Sequence, residues 1–212
     1  MSDLYIVRHG ETTWNQEQKL QGRTDIDLNE KGYQDAHNLS IKLRDKGSDF
    51  IYCSPFKRTM ATAQILSQQL DLPCTPHDGL LPRSFGPWEG EPISKIKQDN
   101  ALLFDQLFMW PLSRVFKESP INSIESYLKV SQRAFKAFEE VGHHNSILVT
   151  HSGVIASILL ALNYSSFEIP MINHDGFVHI VMSKGEYKVK EVCGLVKPVE
   201  NISNRKSRYF AF

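Results

Sequence analysis

The sequence predicts an α/β fold with a mainly parallel central sheet flanked by helices. Short apolar runs typical of buried strands alternate with longer amphipathic helical patterns over most of the 212 residues. Three of these runs end directly in charged or reactive side chains followed by a helix or turn, and such strand ends are where ligands bind in open α/β sheets. Two last runs, joined at Lys184-Gly185, predict a β-hairpin.

The individual elements follow from periodicity and from their boundary residues. Asn29 can cap a helix with one apolar face, and Gly47 can end it. Ser54 and Pro55 predict another helix start, because a capping residue precedes a proline that fits the first helical position. Residues 76–92 are rich in Pro and Gly and predict a loop. The predicted elements are, in chain order, a strand at 4–7, a helix at 29–46, a strand at 49–53, a helix from Ser54 that Pro73 closes, a short helix at 93–100, a helix at 123–141, a strand at 146–150, a helix after Gly153, and hairpin strands at 176–182 and 186–192.

Composition and charge argue against several classes of protein. Lys plus Arg and Asp plus Glu number 24 each, so the zero net charge gives no argument for nucleic acid or an anionic membrane as a partner. The three cysteines are widely spaced and suggest neither a disulfide framework nor a CxxC zinc pair. No HxxxH or HExxH pattern occurs, so we expect no metal. The N-terminus does not resemble a signal peptide and the apolar runs are too short to span a bilayer, which predicts a cytoplasmic protein.

The predicted strand ends carry the charged and potentially reactive side chains. Arg8 and His9 follow the first strand, Arg58 falls in the first turn of the helix after the second strand, and His151 and Ser152 follow a later strand. If these strands are neighbours in one parallel sheet, their carboxyl ends converge on one crevice. Helix N-termini at that edge also favour an anion. The sequence therefore predicts an anion site with two guanidinium and two imidazole groups.

This set of groups suits a phosphoryl group better than a carboxylate. Guanidinium forks bind phosphate oxygens in bidentate fashion and stay charged at any working pH. An imidazole can be unprotonated and nucleophilic near neutral pH, and it can form a covalent intermediate that splits one difficult displacement into two. Phosphomonoester hydrolysis is among the slowest uncatalysed reactions, so charge stabilisation combined with a covalent step suits it.

These motifs resemble those of the histidine phosphatase superfamily, which includes the cofactor-dependent phosphoglycerate mutases. The matches follow the family's order and cover nearly the whole chain. Within the family the chain resembles the phosphatase branch that includes α-ribazole phosphatase-like proteins, because an apolar segment replaces the basic, proline-rich segment of the mutases. The matching motifs are RHGETTWN (8–15), LQGRTDIDLNEKGYQDA (20–36), SPFKRTMATA (54–63), FGPWEG (85–90), IESYLKVSQR (124–133, with Ile124 where the family has Gly) and VTHSG (149–153).

The resemblance implies a role for each residue of the anion site. His9 would be the nucleophile that carries the phosphoryl group, and Arg8, Arg58 and His151 would contact that group and stabilise its charge. The resemblance also implies a small phosphorylated substrate and no cofactor or metal, and it leaves a homodimer open, since dimers are common in the family. The further substrate- or phosphate-binding residues that it implies are Thr12, Asn15, Gln21, Gly22 and Ser152.

We expect one histidine phosphatase-like domain over residues 1–212, with residues 92–120 as a substrate-capping insertion. Residues 101–117 are unusually apolar for a stretch interrupted by Pro111. One interpretation is a cap over a substrate with an apolar or aromatic portion, and the other is a core or dimer-contact segment. The apolar side chains in question are Phe104, Leu107, Phe108, Met109, Trp110 and Phe116.

The sequence departs from the family at the general acid. The family usually places a glutamate four residues before the glycine of the Phe-Gly pair, and here that position is Pro82, which cannot donate a proton. Asp78, Glu89 and Glu91 are the candidate substitutes, of which Glu89 belongs to the family's Trp-Glu-Gly motif. A general acid typically contributes ~10²–10⁴-fold in rate, so its loss matters most for poor leaving groups.

Three functions stay open at this point. The favoured one is metal-independent phosphomonoester hydrolysis through a phosphohistidine on His9, slowed by the loss of the general acid. The second is phosphoglycerate mutase-type transfer, which would require a stable phosphohistidine and a bisphosphate primer. The third is a phosphoester-binding module with weak catalysis, although both arginines and both histidines stand in intact motifs.

Overall fold

The structure, a computed structural model, describes residues 1–109, 112–119, 121–164 and 171–196. Its strands are β1 (Ser2–Arg8), β2 (Phe50–Cys53), β3 (Cys74–Pro76), β4 (Ser146–Thr150), β5 (Ile172–Ser183) and β6 (Glu186–Leu195). Its helices are α1 (Thr13–Gln16), α2 (Glu30–Leu43), α3 (Lys57–Leu70), α4 (Ile93–Asp99), α5 (Ala101–Met109), α6 (Leu112–Lys117), α7 (Tyr127–Val141) and α8 (Ser152–Ala161). None of the described helices is long and apolar enough to cross a membrane.

In the part of the chain that the structure describes, the strands form one sheet in the order β3-β2-β4-β1-β5-β6. The first four strands in that order pair in parallel, and β5 and β6 continue the sheet in antiparallel fashion. Lys184 and Gly185 both have positive φ, 52° and 79°, and form the tight turn between β5 and β6. The predicted α/β class, the mainly parallel sheet and the closing hairpin are confirmed.

The strand register brings the predicted site residues to one edge. Arg8 at the end of β1 lies opposite Thr150 at the end of β4, and Cys53 at the end of β2 lies opposite Val149. The residues that follow these three strands therefore meet at the carboxyl edge of the sheet, where ligands bind in open α/β folds.

Two apolar cores cover the two faces of the sheet. Successive residues of β1 alternate between them, because Leu4 and Ile6 join one core and Tyr5 and Val7 join the other. Residues of α7 and α8 complete the first core, and residues of α2 and α3 complete the second. Burial on both faces is typical of parallel strands between helix layers, and it explains why the β1 sequence is a continuous apolar run rather than an alternating one.

The predicted starts of two helices are wrong, and one strand is missing from the prediction. Helix α7 begins at Tyr127, with Ser126 as its N-cap, and not at residue 123. Helix α3 begins at Lys57 with Phe56 as its N-cap, and not at Ser54-Pro55. Ser54 is still bonded to β4 through its backbone N–H, so the chain leaves the sheet only after this residue. Strand β3 was not predicted. It ends at Pro76, where the predicted loop begins, and it forms by pairing with β2, which local composition does not reveal. The N-cap of α2 is as predicted, since Asn29 Oδ1 accepts from Gly32 N at 2.8 Å.

The apolar segment after residue 92 is partly core. Phe104 and Leu107 are buried in a cluster that also contains Leu20, Trp88, Ile93, Ile96 and Ile124. Phe116 packs against a separate small cluster around Tyr127. These contacts support the core interpretation for the three residues. Trp110 and the side chains of Phe108 and Met109 lie outside the described residues, and the capping role of residues 92–120 stays a prediction.

Candidate active site

The end of β1 holds a histidine whose tautomer is set by its neighbour. His9 Nδ1 lies 2.8 Å from the carbonyl oxygen of Gly10. Because a carbonyl can only accept, Nδ1 carries the hydrogen and Nε2 is left with a free lone pair. The backbone N–H of His9 donates to Thr150 O at 3.0 Å, which ties β1 to the end of β4 beyond the last paired strand residues. The geometry therefore presents Nε2 of His9 as a nucleophile.

The second histidine stands at the start of α8, next to the first. The ring centroids of His151 and His9 are 5.2 Å apart. His151 Nε2 shares a hydrogen bond of 3.0 Å with the hydroxyl of Ser54, and its Nδ1 is buried without a partner among the described residues. His151 is also the N-cap of α8, so the free N–H groups of the first helical turn lie beside its ring.

Two buried arginines complete the predicted set. Arg58 donates from Nη1 to Thr24 O at 2.8 Å and from Nη2 to Gly22 O at 2.9 Å. Arg8 donates from Nη1 to Ile172 O at 3.0 Å. In both residues Nε is buried and has no partner in the described part of the chain. Carbonyl oxygens thus hold the two guanidinium groups in place without neutralising their charge.

Burial and, after it, the positive charge of this cluster determine its protonation. Burial lowers the pKa of Arg8 and of Arg58 to about 10, which still leaves both charged at neutral pH. Burial first, and then the positive charge of Arg58, place the pKa of His9 and of His151 well below the ordinary histidine value. Both imidazoles are therefore neutral at neutral pH, and the site keeps a positive potential that attracts a dianion.

The other predicted phosphate-binding residues flank the cluster. Asn15 Oδ1 accepts from Thr12 N at 3.2 Å and from Thr12 Oγ1 at 3.0 Å, so its amide NH₂ remains available as a donor. Gln21 Oε1 is buried without a partner among the described residues. Gly22 has φ +50°, and an added Cβ would lie 2.2 Å from the Glu89 carboxylate, so only glycine fits there. Ser152 Oγ contacts Met171 Sδ at 3.2 Å.

The loop that carries Pro82 runs beside the end of β4. Leu80 O accepts from Thr150 Oγ1 at 2.8 Å, and Pro82 O accepts from Arg133 Nη2 at 3.0 Å. Arg83 is buried, donates from Nε to Glu125 O at 2.6 Å and lies 4.1 Å from the ring centroid of Tyr127. Pro82, where the resemblance places the acid, therefore lies on a loop that is bonded to the last residue of β4, and its side chain has no proton to give.

The structure separates the candidate substitutes for this acid. Asp78 is exposed at the start of a 3-10 turn, and no hydrogen bond joins it to His9 or His151 in the described part of the chain. Glu91 pairs with Lys95 at 2.7 Å on the surface. Glu89 is the one that adjoins the site, since its carboxylate packs on Gly22 and accepts from Phe85 N at 2.9 Å and Thr24 Oγ1 at 3.3 Å. These bonds indicate a structural role for Glu89.

Two further residues, Ser54 and His174, belong to the cluster although the sequence did not predict them there. Ser54 was predicted as a helix cap, but its hydroxyl bonds to His151 instead. His174, on β5, was given no role, yet its ring centroid lies 5.7 Å from that of His9, and its Nδ1 lies 2.8 Å from His9 O. Ser54 follows a strand end, which is a usable signal. No sequence signal identifies His174, because β5 lies beside β1 only in the folded sheet.

A buried, positively charged cluster at the ends of parallel strands that includes a free imidazole nitrogen is suited to the hydrolysis or transfer of phosphoesters. Comparison with known proteins gives the family. The chain belongs to the histidine phosphatase superfamily (branch 1), whose family model matches residues 4–192, as its motifs predicted.

Individual relatives are named both as phosphatases and as mutases. The uncharacterized phosphatase PhoE of Bacillus subtilis is 41% identical over 95 residues, which cover 45% of this chain and 49% of PhoE, so the match spans about half of that relative. Phosphoglycerate mutase-like protein 4 of Arabidopsis thaliana is 31% identical over 166 residues, 74% of this chain and 69% of that protein. The solved structure of Bacillus stearothermophilus YhfR superposes with a TM-score of 0.80 at 29% identity, covering 93% of this chain and 98% of YhfR.

Proposed function

We propose that this protein hydrolyses phosphomonoesters through a phosphohistidine on His9, without a metal. The observation that carries the proposal is the free Nε2 of His9 in a buried cluster with two guanidinium groups that no carboxylate neutralises by direct contact among the described residues. A phosphoryl dianion supplies the negative charge that such a pocket lacks. The arginines also provide the charge stabilisation that a metal ion provides in other phosphoryl-transfer enzymes.

Four side chains of the site have hydrogen-bond donors left for phosphoryl oxygens. Arg8 and Arg58 each have a buried Nε without a partner in the described chain. When the hydroxyl of Ser54 donates to Nε2 of His151, the ring hydrogen lies on Nδ1, which is then a third donor. The side-chain amide of Asn15 adds another. Charge-assisted bonds of this kind are stronger than neutral ones, so the pocket can hold a phosphoryl group against water.

The reaction proceeds in two displacements. Nε2 of His9 attacks phosphorus, the N–P bond forms as the ester P–O bond breaks, and the leaving oxygen takes a proton. Water then attacks the phosphorus and gives up one proton to the solvent, the N–P bond breaks, and inorganic phosphate leaves with the neutral His9 restored. Because Pro82 supplies no proton and Glu89 is engaged as an acceptor, the leaving oxygen is protonated by solvent. Esters with acidic leaving groups are therefore the preferred substrates.

The test compares p-nitrophenyl phosphate with an alkyl phosphate on the wild type, on His9→Ala and on His143→Ala, an exposed histidine outside the site. We expect the wild type and the His143 variant to turn over the aryl ester and the His9 variant to be inactive. The alkyl ester should react more slowly by roughly 10²–10⁴-fold, the usual contribution of a general acid. Full activity of His9→Ala would refute the mechanism, and inhibition by EDTA would show that a metal takes part.

One alternative has a specific observation in its favour. Pro82 in place of the acid also fits a phosphoester-binding module with little catalysis. Orthophosphate binding without turnover of either ester would support that function. Strict dependence of phosphoryl transfer on a bisphosphate primer would instead indicate a mutase, as in the name of the Arabidopsis thaliana relative.

A further inference from the structure

The start of β5 is joined to the Arg8-His9 segment by two side-chain hydrogen bonds that run in opposite directions. Arg8 Nη1 donates to Ile172 O at 3.0 Å, and His174 Nδ1 lies 2.8 Å from His9 O. The backbone pairing of β1 with β5 ends earlier, at Val7 opposite Phe177. Beyond that pair, side chains take over from the backbone in holding the two segments together.

The hydrogen bond to His9 O assigns the tautomer of His174. The carbonyl can only accept, so Nδ1 carries the hydrogen and Nε2 has a free lone pair. His174 is 8% exposed, and its Nε2 has no partner in the described part of the chain. A purely space-filling role would be served better by an apolar side chain, because burial of an unpaired acceptor is unfavourable. The role of His174 therefore depends on its bonded nitrogen, Nδ1.

The backbone around His9 shows what that bond controls. One peptide plane contains His9 C=O and Gly10 N–H. His174 holds its oxygen, and Thr62 Oγ1 accepts from its N–H at 3.0 Å. Gly10 O, in the next peptide, accepts from the ring Nδ1 of His9. The orientation of the His9 ring thus depends on a backbone that His174 fixes at one end.

We propose that His174 is a positioning residue for the nucleophile: its Nδ1–H clamps the peptide between His9 and Gly10 and thereby sets the direction in which Nε2 of His9 faces the phosphoryl group. This proposal rests on the proposed function. His174 itself makes no contact with the reacting atoms. A small misplacement of a reacting group can reduce a rate by about 10²-fold, whereas phosphate binding by the arginines does not require the nucleophile to be aimed.

The test uses the different reach of two amides. In His174→Asn the side-chain NH₂ occupies the place of Nδ1 and keeps the donor, whereas His174→Gln puts its amide at the place of Nε2 and loses it. His174→Leu removes both, and His143→Asn, at an exposed position, is the matched control. For p-nitrophenyl phosphate we expect the Gln and Leu variants to lose about 10- to 100-fold in kcat at nearly constant KM, with the Asn variant within about threefold of the wild type.

A second measurement does not depend on turnover. Orthovanadate mimics the transition state and needs an aimed nucleophile, whereas orthophosphate reports ground-state binding. By calorimetry, the Gln and Leu variants should bind orthovanadate about 10-fold or more weakly and orthophosphate as the wild type does.

The outcomes separate the two proposals. If the wild type shows no turnover that depends on His9, the proposed function is overturned. The comparison of orthovanadate with orthophosphate binding would still test His174. Unchanged kcat and vanadate binding in His174→Leu would overturn the positioning role. So would activity retained by the Gln variant and lost by the Asn variant, because Nε2 would then be the working atom. If the Leu variant fails to fold, as judged by its Tm, the Asn and Gln pair decides alone.

Discussion

The three buried histidines make a quantitative prediction about stability and pH. His9, His151 and His174 are 4%, 4% and 8% exposed, and no carboxylate pairs with any of them among the described residues. Burial lowers the pKa of all three, and with Arg8 nearby it brings the pKa of His174 to about 2. The folded protein keeps the rings neutral in weak acid, whereas the unfolded chain protonates them. The unfolded state therefore binds more protons below the ordinary histidine pKa, and the free energy of unfolding must fall as the pH falls.

The size of the effect follows from linkage. With an unfolded-state histidine pKa of about 6.5, a change from pH 7 to pH 5 favours the unfolded state by about 2 kcal/mol for a ring that stays neutral in the fold. For His174 alone this is a sizeable fraction of the stability of a typical domain, about 5–15 kcal/mol, and the lowered pKa of His9 and of His151 acts in the same direction. For His174 the loss continues from the ordinary histidine pKa down to its folded-state pKa of about 2.

The measurement is reversible urea unfolding at pH 7 and pH 5 in phosphate-free buffers of constant ionic strength. Other groups titrate as well, so the informative quantity is the difference between variants. His174→Asn should reduce the pH-dependent loss by about 2 kcal/mol, whereas His143→Asn, at an exposed position, should leave it as in the wild type. Equal pH dependence in the wild type and His174→Asn would refute the claim that this ring is neutral in the folded state.

Three other predictions concern single contacts. Ser54→Ala removes the 3.0 Å bond to His151 Nε2 and leaves that nitrogen buried without a partner. The value of kcat/KM should therefore fall by about tenfold, equivalent to about 1.4 kcal/mol. An unchanged kcat/KM would show that the bond does not orient the ring. Phe138→Ala opens the core beneath the sheet and should cost about 3–5 kcal/mol in unfolding free energy, against less than about 0.5 kcal/mol for Ile41→Ala, whose side chain is 63% exposed. Pro82→Glu should raise turnover of an alkyl phosphate, by at most about 10²–10⁴-fold, and leave the aryl ester almost unchanged; equal gains on both esters would contradict the assignment of this position to the general acid.

Much of the fold could be predicted because the deciding interactions are local. Asn29 caps α2 through a residue three positions away, and Lys184-Gly185 turns the final hairpin on its own backbone angles. The alternation of apolar strands and amphipathic helices identified the α/β class for the same reason. Strand β3 escaped prediction, since its pairing partner is β2 and its own residues carry no strong strand pattern.

The chemistry of the site was also accessible from the sequence, up to a limit. Arg8, His9, Arg58 and His151 lie at strand ends or helix starts, so one assumption, that their strands are parallel neighbours, was enough to bring them together. That assumption is confirmed by the strand register. The absence of a proton donor at Pro82 was likewise readable from one position in one motif.

Only the tertiary structure decided how these groups are held and which nitrogen of each ring is free. The hydrogen-bond partners of His151 and His174 are 97 and 165 residues away along the chain, and no local pattern can specify contacts of that separation. A sequence records which functional groups are present and which short-range structures they prefer. The low pKa of the His9 imidazole, the charge of the two arginines without a direct carboxylate partner among the described residues, and the position of His174 depend instead on burial and on neighbours that meet only when the sheet closes.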